Sequence, residues 1–187
     1  MFSRRDFAVS AVGCAVAGAS LFRDQDENDA VQDKAQPTPR ESEFRRDYEP
    51  PKFQPKWENP IVNRVMVQDF VIFAHSDLEM VKKLYDKNPL LLNGAMDWGK
   101  GDWETALGGA SHMGRKDIVK FLLSKGARID IFCATMMGML GTVKEILKLE
   151  PALANAKGPH GFSLEHHAKM GKGDAKDVLE FLQSLKD

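Results

Sequence analysis

Residues 104–127 constrain the fold most strongly, because they contain two short helical segments that each have only one apolar face. In the first segment, Leu107, Ala110 and Ser111 are spaced as neighbours on one side of a helix. After a turn at Gly114, the second segment carries a longer apolar stripe. Helices this short are unstable alone, because nucleating them costs more than their few internal hydrogen bonds return. The stretch therefore predicts several helix pairs that stack on one another.

A second pattern along the chain also indicates repeated helix pairs. In four places a Val is followed three and four residues later by large apolar side chains, and a turn position stands five residues before it. The Val positions are Val81, Val119, Val143 and Val178, and the turn positions are Ser76, Gly114, Gly138 and Gly173. Glycine at such a turn tolerates positive φ. The sequence Pro-x-Leu-x-Asn also occurs twice, at residues 89–93 and 151–155.

Residues 104–127 resemble the ankyrin repeat, whose usual core runs Thr-Pro-Leu-His, Ala-Ala, Gly, Ile-Val, Leu-Leu, Gly-Ala. The positions that match at the family's spacing are Thr105, Leu107, Ala110, Gly114, Ile118, Val119, Leu122, Leu123, Gly126 and Ala127. Ala106 and Gly108 stand where the family has Pro and His. The resemblance implies an all-α solenoid of about four helix-turn-helix repeats with short β-hairpin fingers.

The spacing between repeats predicts where these fingers lie. Residues 95–103 and 156–163 are long enough for a finger and contain the Gly, Asp or Pro that turns need. Between Ala127 and Phe132 there is room only for a brief turn, so we expect the third repeat to lack its finger. Without that finger, we expect a gap that divides the face carrying the fingers into two contact patches.

The N-terminal segment, residues 1–22, resembles a bacterial twin-arginine signal, a kind of signal that exports folded proteins. Arg4 and Arg5 precede an apolar run that is rich in small residues. That run is too short to be a confident membrane span, and an uncleaved apolar helix is the alternative. Cleavage near Ala19 would release a periplasmic protein. Acylation of Cys14 would instead give a membrane-tethered structural lipoprotein.

Residues 23–60 are polar, charged and rich in proline. Such a segment buries too little apolar surface to offset the entropy of ordering it, so we predict a disordered linker. The repeat domain is then expected at residues 61–187. Phe53 and Trp57 are too apolar for a free linker, and the first repeat is apolar nearly all round. We therefore expect these two aromatic side chains to cover it.

Charge and motifs exclude several classes of function. The formal net charge of -1 gives no general attraction to nucleic acid or to an anionic membrane. The chain contains no phosphate-binding glycine loop, no Gly-x-Ser-x-Gly and no His-Glu-x-x-His. We therefore predict a non-catalytic protein without a cofactor or a metal site.

One alternative is a metal-dependent or thiol-dependent accessory enzyme that uses His160, His166 and Cys133. Against a metal, His166 and His167 are adjacent on one helix and point about 100° apart, so they cannot easily share an ion. His166 also lies near the position of the histidine in the family's turn motif. Cys133 lies in an apolar run, which favours a buried and unreactive thiol.

We expect the fingers to contact a partner protein. In ankyrin repeat proteins the finger tips and first helices form a concave binding face, and Trp is frequent at binding hot spots. The candidate contact residues are Asp97, Trp98, Lys100, Asp102, Trp103, Lys157, His160 and Phe162. The alternative for Trp98 and Trp103 is that they pack over the long interval between repeats one and two. The sequence thus predicts an exported protein-interaction module.

Overall fold

The computed structural model describes residues 46–53, 56, 58 and 61–186. Internal contacts divide the chain into two units between residues 54 and 55. The described residues of the first unit, 46–53, contain no helix or strand and are all exposed. The second unit contains the helices and the sheet.

Several predictions for the N-terminal part concern residues outside this range. The twin-arginine signal, its cleavage near Ala19, the acylation of Cys14 and the position of Trp57 all lie outside the described residues. Phe53 is described and is 80% exposed.

Four pairs of α-helices follow one another in the described part of the second unit. They are α1 (Arg64–Phe73) with α2 (Leu78–Lys87), α3 (Ala106–His112) with α4 (Lys116–Ser124), α5 (Ile131–Met136) with α6 (Leu140–Leu149), and α7 (Leu164–Gly171) with α8 (Lys176–Ser184). The first helices pack in a row, α1 on α3, α3 on α5 and α5 on α7, while α2 packs on α4 and α6 on α8. The chain is therefore mostly helical, as predicted. None of the helices described here has the length and apolar character needed to cross a bilayer.

The first predicted finger is a β-hairpin. Its strands, β1 (Ala95–Asp97) and β2 (Trp103–Thr105), are antiparallel, and Met96 lies opposite Glu104. Both of these residues are buried, and β1 packs against α1, so the base of the hairpin is anchored to the helices. At the tip, Asp97 Oδ1 accepts hydrogen bonds from two backbone N–H groups, which fixes the turn.

The second predicted finger is smaller than the first. A single antiparallel bridge joins Lys157 to Ser163, and a short 3₁₀ turn at Pro159–Gly161 lies between them. Residues 125–130, which connect α4 to α5, contain no strand, in agreement with the prediction that the third repeat lacks a finger.

The apolar stripes of the helix pairs form the core. The four aligned Val side chains, Val81, Val119, Val143 and Val178, are all fully buried, as their repeated pattern predicts. One apolar cluster extends from α1 to α5 and a second from α5 to α8. The helix pairs thus bury their apolar faces against neighbouring pairs.

The turns between paired helices agree with the prediction at two glycines and differ at a third. Gly114 and Gly138 have φ of 68° and 73°, which only glycine adopts without strain. The prediction of positive φ at Gly173 is wrong. A 3₁₀ turn, Lys172–Ala175, comes between α7 and α8, and Lys172 takes the positive φ of 56° there.

Candidate metal centre

Three histidine rings and one carboxylate converge where the two fingers meet the first helices. Ligand atoms of His75, Glu104, His112 and His160 all lie within 4.8 Å of one another. His112 Nε2 lies 3.1 Å from His75 Nε2 and 3.0 Å from Glu104 Oε1. Glu104 Oε2 lies 3.3 Å from His75 Nε2 and 3.5 Å from His160 Nε2. We call these four residues the His–Glu cluster.

Each member of the His–Glu cluster comes from a different segment of the chain. His75 follows the end of α1, Glu104 is the middle residue of β2, His112 ends α3, and His160 lies in the second finger. Thr105 caps α3 by accepting a hydrogen bond from the Gly108 N–H, which places Glu104 immediately before the helix. Only the folded chain brings the four side chains together.

A glycine in α3 makes room for the His75 ring. A Cβ atom on Gly109 would lie 2.7 Å from Cε1 and 2.9 Å from Nδ1 of His75, so close that the His75 ring would have to move. Glycine in a helix interior is less stable than alanine by about 1 kcal/mol, so its presence here needs a reason. The close packing of His75 on α3 supplies that reason.

Hydrogen bonds outside the cluster orient two of its rings. His75 Nδ1 lies 2.9 Å from the Val71 carbonyl oxygen, and His160 Nδ1 lies 2.8 Å from Asp102 Oδ2. A ring that donates from Nδ1 presents the lone pair of Nε2, the atom that faces the cluster. Since His75 Nε2 and His112 Nε2 are 3.1 Å apart, they cannot both carry a proton without repulsion. The Nδ1 atom of His112 is buried without a hydrogen-bond partner.

The Glu104 carboxylate is buried and charged. Its Oε2 accepts a hydrogen bond from Trp98 Nε1 at 2.8 Å, whereas its buried Oε1 receives no hydrogen bond of good geometry. Burial alone would raise the pKa of Glu104, but the nearby His112, His75 and Trp98 groups lower it to about 2. The interaction with Glu104 in turn raises the pKa of His75, against the opposing effect of burial. The carboxylate is thus ionised although it is buried, and the nearest group to its Oε1 is His112 Nε2 at 3.0 Å.

The predicted gap between the two fingers is not found. Asp102 in the first finger accepts a hydrogen bond from the backbone N–H of His160 in the second, at 2.9 Å, in addition to its contact with the ring. The division into two contact patches is therefore wrong. Because the third repeat contributes no finger, nothing separates the second finger from the first.

Of the eight predicted contact residues, three belong to the His–Glu cluster or contact it, one stacks on a neighbouring histidine, and four lie elsewhere on the fingers. Trp98, Asp102 and His160 belong to the cluster or contact it, and the Trp98 ring lies edge-on to His75 and His160. Phe162 stacks on His166 with ring centroids 4.0 Å apart. The remaining members are Asp97, which holds the tip of the first finger, and the exposed Lys100, Trp103 and Lys157.

Of the three residues considered for an accessory enzyme, only His160 belongs to the His–Glu cluster. His166 Nε2 lies 3.1 Å from the carbonyl oxygen of His112, so its ring is engaged in a structural contact. Cys133 is fully buried, and desolvation by burial raises the pKa of its thiol to about 11. A thiol so rarely ionised is a poor nucleophile and a poor metal ligand.

Sequence reasoning missed His75, Glu104 and His112. For the two histidines a signal was present in the repeat pattern, because His75 and His112 each stand shortly before the turn between the helices of a pair. First helices of successive pairs lie side by side, so equivalent positions on them become neighbours. Nothing in the sequence matched a metal-ligand spacing, since the ligands lie on separate repeats.

Comparison with known proteins assigns this chain neither a family nor a function. No protein-family model, no curated protein and no solved structure matches this chain. The His–Glu cluster is therefore the basis for the function proposed below.

Proposed function

We propose that this protein binds one divalent transition-metal ion through the His–Glu cluster. The observation that carries the proposal is the convergence of four ligand atoms from four separate segments within 4.8 Å. The surroundings of Glu104 Oε1 support it: this buried oxygen has no hydrogen bond of good geometry, although His112 Nε2 lies 3.0 Å away, and a bound cation would satisfy it.

The ligand set favours an ion of the zinc class. Three imidazole nitrogens with one carboxylate suit zinc, cobalt, nickel or copper, whereas magnesium and calcium prefer all-oxygen sites. Zinc bonds of about 2.0–2.1 Å in a tetrahedron place ligand atoms roughly 3.3 Å apart. Four separations, one measured to Glu104 Oε1 and two to Oε2, lie between 3.0 and 3.5 Å, and the ligand atoms as a set lie within 4.8 Å of one another.

We propose a binding role for the ion and no catalytic one. A tetrahedral ion held by four protein side chains has no position left for a reactive water, which is the arrangement of structural zinc sites. Glu104 and His112 are buried, with exposures of 1% and 4%, so the ion would be reached from the side of His75 and His160. An ion there would join α1, α3 and both fingers.

Titration of the metal-free protein with zinc by calorimetry tests this function. We expect one ion per chain for the wild type and for His166→Gln, which removes a histidine outside the cluster. His112→Gln is expected to lose at least 100-fold in affinity, because it replaces a central ligand with a neutral amide. Circular dichroism of each variant checks that the helices are retained.

Two results would contradict the proposal. A wild-type chain that retains no zinc, cobalt, nickel or copper after dialysis would show that the cluster is a hydrogen-bonded network alone. Equal zinc affinity in His112→Gln and the wild type would place any bound ion elsewhere in the chain.

We also propose that the helix pairs form an ankyrin-like solenoid that presents the fingers to a partner protein in the bacterial envelope. The row of first helices and the exposure of Trp103, which is 62%, support this second role. Affinity capture from envelope extract should enrich a protein on the wild type that is absent from Trp103→Ala. The purified candidate should then bind the wild type at least 10-fold more tightly than Trp103→Ala, and equal binding would exclude this contact.

A further inference from the structure

Three members of the His–Glu cluster are fixed by the packed part of the fold. His75 is tied to the carbonyl of Val71, one turn earlier along the chain at the end of α1. Glu104 is buried in β2 and is held by the Trp98 indole. His112 ends α3 and is only 4% exposed. The packing of α1, β2 and α3 therefore sets these three ligand positions.

His160 is held in a different way. It lies in the second finger, whose two sides are joined by a single β-bridge, and its side chain is 26% exposed. Its backbone has φ of 57°, a left-handed conformation that is unfavourable for a residue other than glycine. A residue keeps such a conformation only where its surroundings impose it.

Asp102 holds His160 in this conformation together with the backbone hydrogen bonds of the turn. One carboxylate oxygen, Oδ1, accepts the backbone N–H of His160 at 2.9 Å, and the other, Oδ2, lies 2.8 Å from the ring Nδ1. Since an ionised carboxylate only accepts hydrogen bonds, Nδ1 must carry a proton, and in the neutral ring Nε2 then presents its lone pair. Asp102 thus sets both the backbone position and the tautomer of His160.

We propose that Asp102 is the positioning residue that delivers His160 as the fourth ligand, so that ion binding and contact between the two fingers are coupled. This inference rests on the metal-binding function proposed above. The bound ion holds the second finger on the first, and separation of the fingers removes one ligand and opens a path for the ion. Thermodynamic linkage makes the effect reciprocal. If contact between the fingers raises the affinity for the ion by some factor, the bound ion raises the equilibrium constant for finger contact by the same factor.

Asp102→Asn tests the coupling with little change in shape. Asparagine keeps an oxygen for the backbone N–H of His160, but its amide nitrogen cannot accept the ring proton. We expect zinc affinity, measured by competition with a chromophoric chelator, to fall about 10- to 100-fold. Nitrogen-15 NMR of the metal-free variant should show the His160 proton moved from Nδ1 to Nε2. Asp86→Asn makes the same chemical change on an exposed face of α2 and should leave affinity unchanged.

A double-variant cycle separates positioning from a general loss of stability. In a His160→Gln background, adding Asp102→Asn should cause no further loss of zinc affinity, because the ligand it orients is already absent. An equal loss in both backgrounds, or wild-type affinity in Asp102→Asn, would overturn the coupling and leave the metal site standing. A wild type that binds no ion would instead remove the proposed function itself.

Discussion

Replacing Glu104 with glutamine is expected to abolish most of the thermal stabilisation that zinc gives the wild type. Ligand at 1,000 times its dissociation constant stabilises a folded protein by about 4.1 kcal/mol, which is a rise in Tm of roughly 15 °C for a domain of this size. Glutamine offers only a neutral oxygen to the ion and removes the buried negative charge that attracts it. Melting curves recorded with and without zinc should show a rise of a few degrees at most in Glu104→Gln.

The metal-free Glu104→Gln chain should lose only about 1–3 kcal/mol, because the amide oxygen still accepts the hydrogen bond from the Trp98 indole. Glu79→Gln is the matched control, since Glu79 is exposed on α2 and forms an ion pair with Lys82 at the surface. It should keep both the metal-free Tm and the full response to zinc. A full response in Glu104→Gln as well would show that the carboxylate is not a ligand.

The helix pairs could be predicted because their signal is local and repeated. Val81 and the three Val residues aligned with it mark the buried side of each second helix, and all four are fully buried. Turn glycines such as Gly114 are equally local, because positive φ depends on one residue. The first finger was located for the same reason, since its turn residues lie between two strongly patterned segments.

The cluster could not be predicted in this way, because it depends on how neighbouring pairs pack. His75 reaches its position only because Gly109, on the next first helix, leaves space for its ring. His160 reaches the cluster only because its backbone takes a left-handed conformation on Asp102, in a finger that no neighbour blocks. Neither contact leaves a repeated residue spacing in the sequence, so a search for metal ligands at fixed spacing does not find the cluster.

Replacing Gly138 with alanine should strongly destabilise the fold. Gly138 lies between α5 and α6 with φ of 73°, and a Cβ atom there would lie 1.9 Å from the backbone oxygen of Asp174. The left-handed backbone costs alanine roughly 1–2 kcal/mol, and forcing two backbone segments apart costs about 1–3 kcal/mol more. We expect chemical denaturation to show a loss of roughly 3 kcal/mol, with a fall in Tm of about 10 °C.

Gly141→Ala is the control for this substitution. Gly141 lies in α6 three residues later, and a Cβ atom there would meet nothing within 4 Å, so alanine should leave stability unchanged or raise it by up to about 1 kcal/mol. Because Asp174 belongs to the following helix pair, the part of the loss that exceeds the cost of the left-handed backbone measures how closely the third pair packs on the fourth. A loss in Gly138→Ala of no more than about 1–2 kcal/mol, the cost of the left-handed backbone alone, would mean that the pairs are not in contact at this turn, and the stacking on which the cluster depends would fail there.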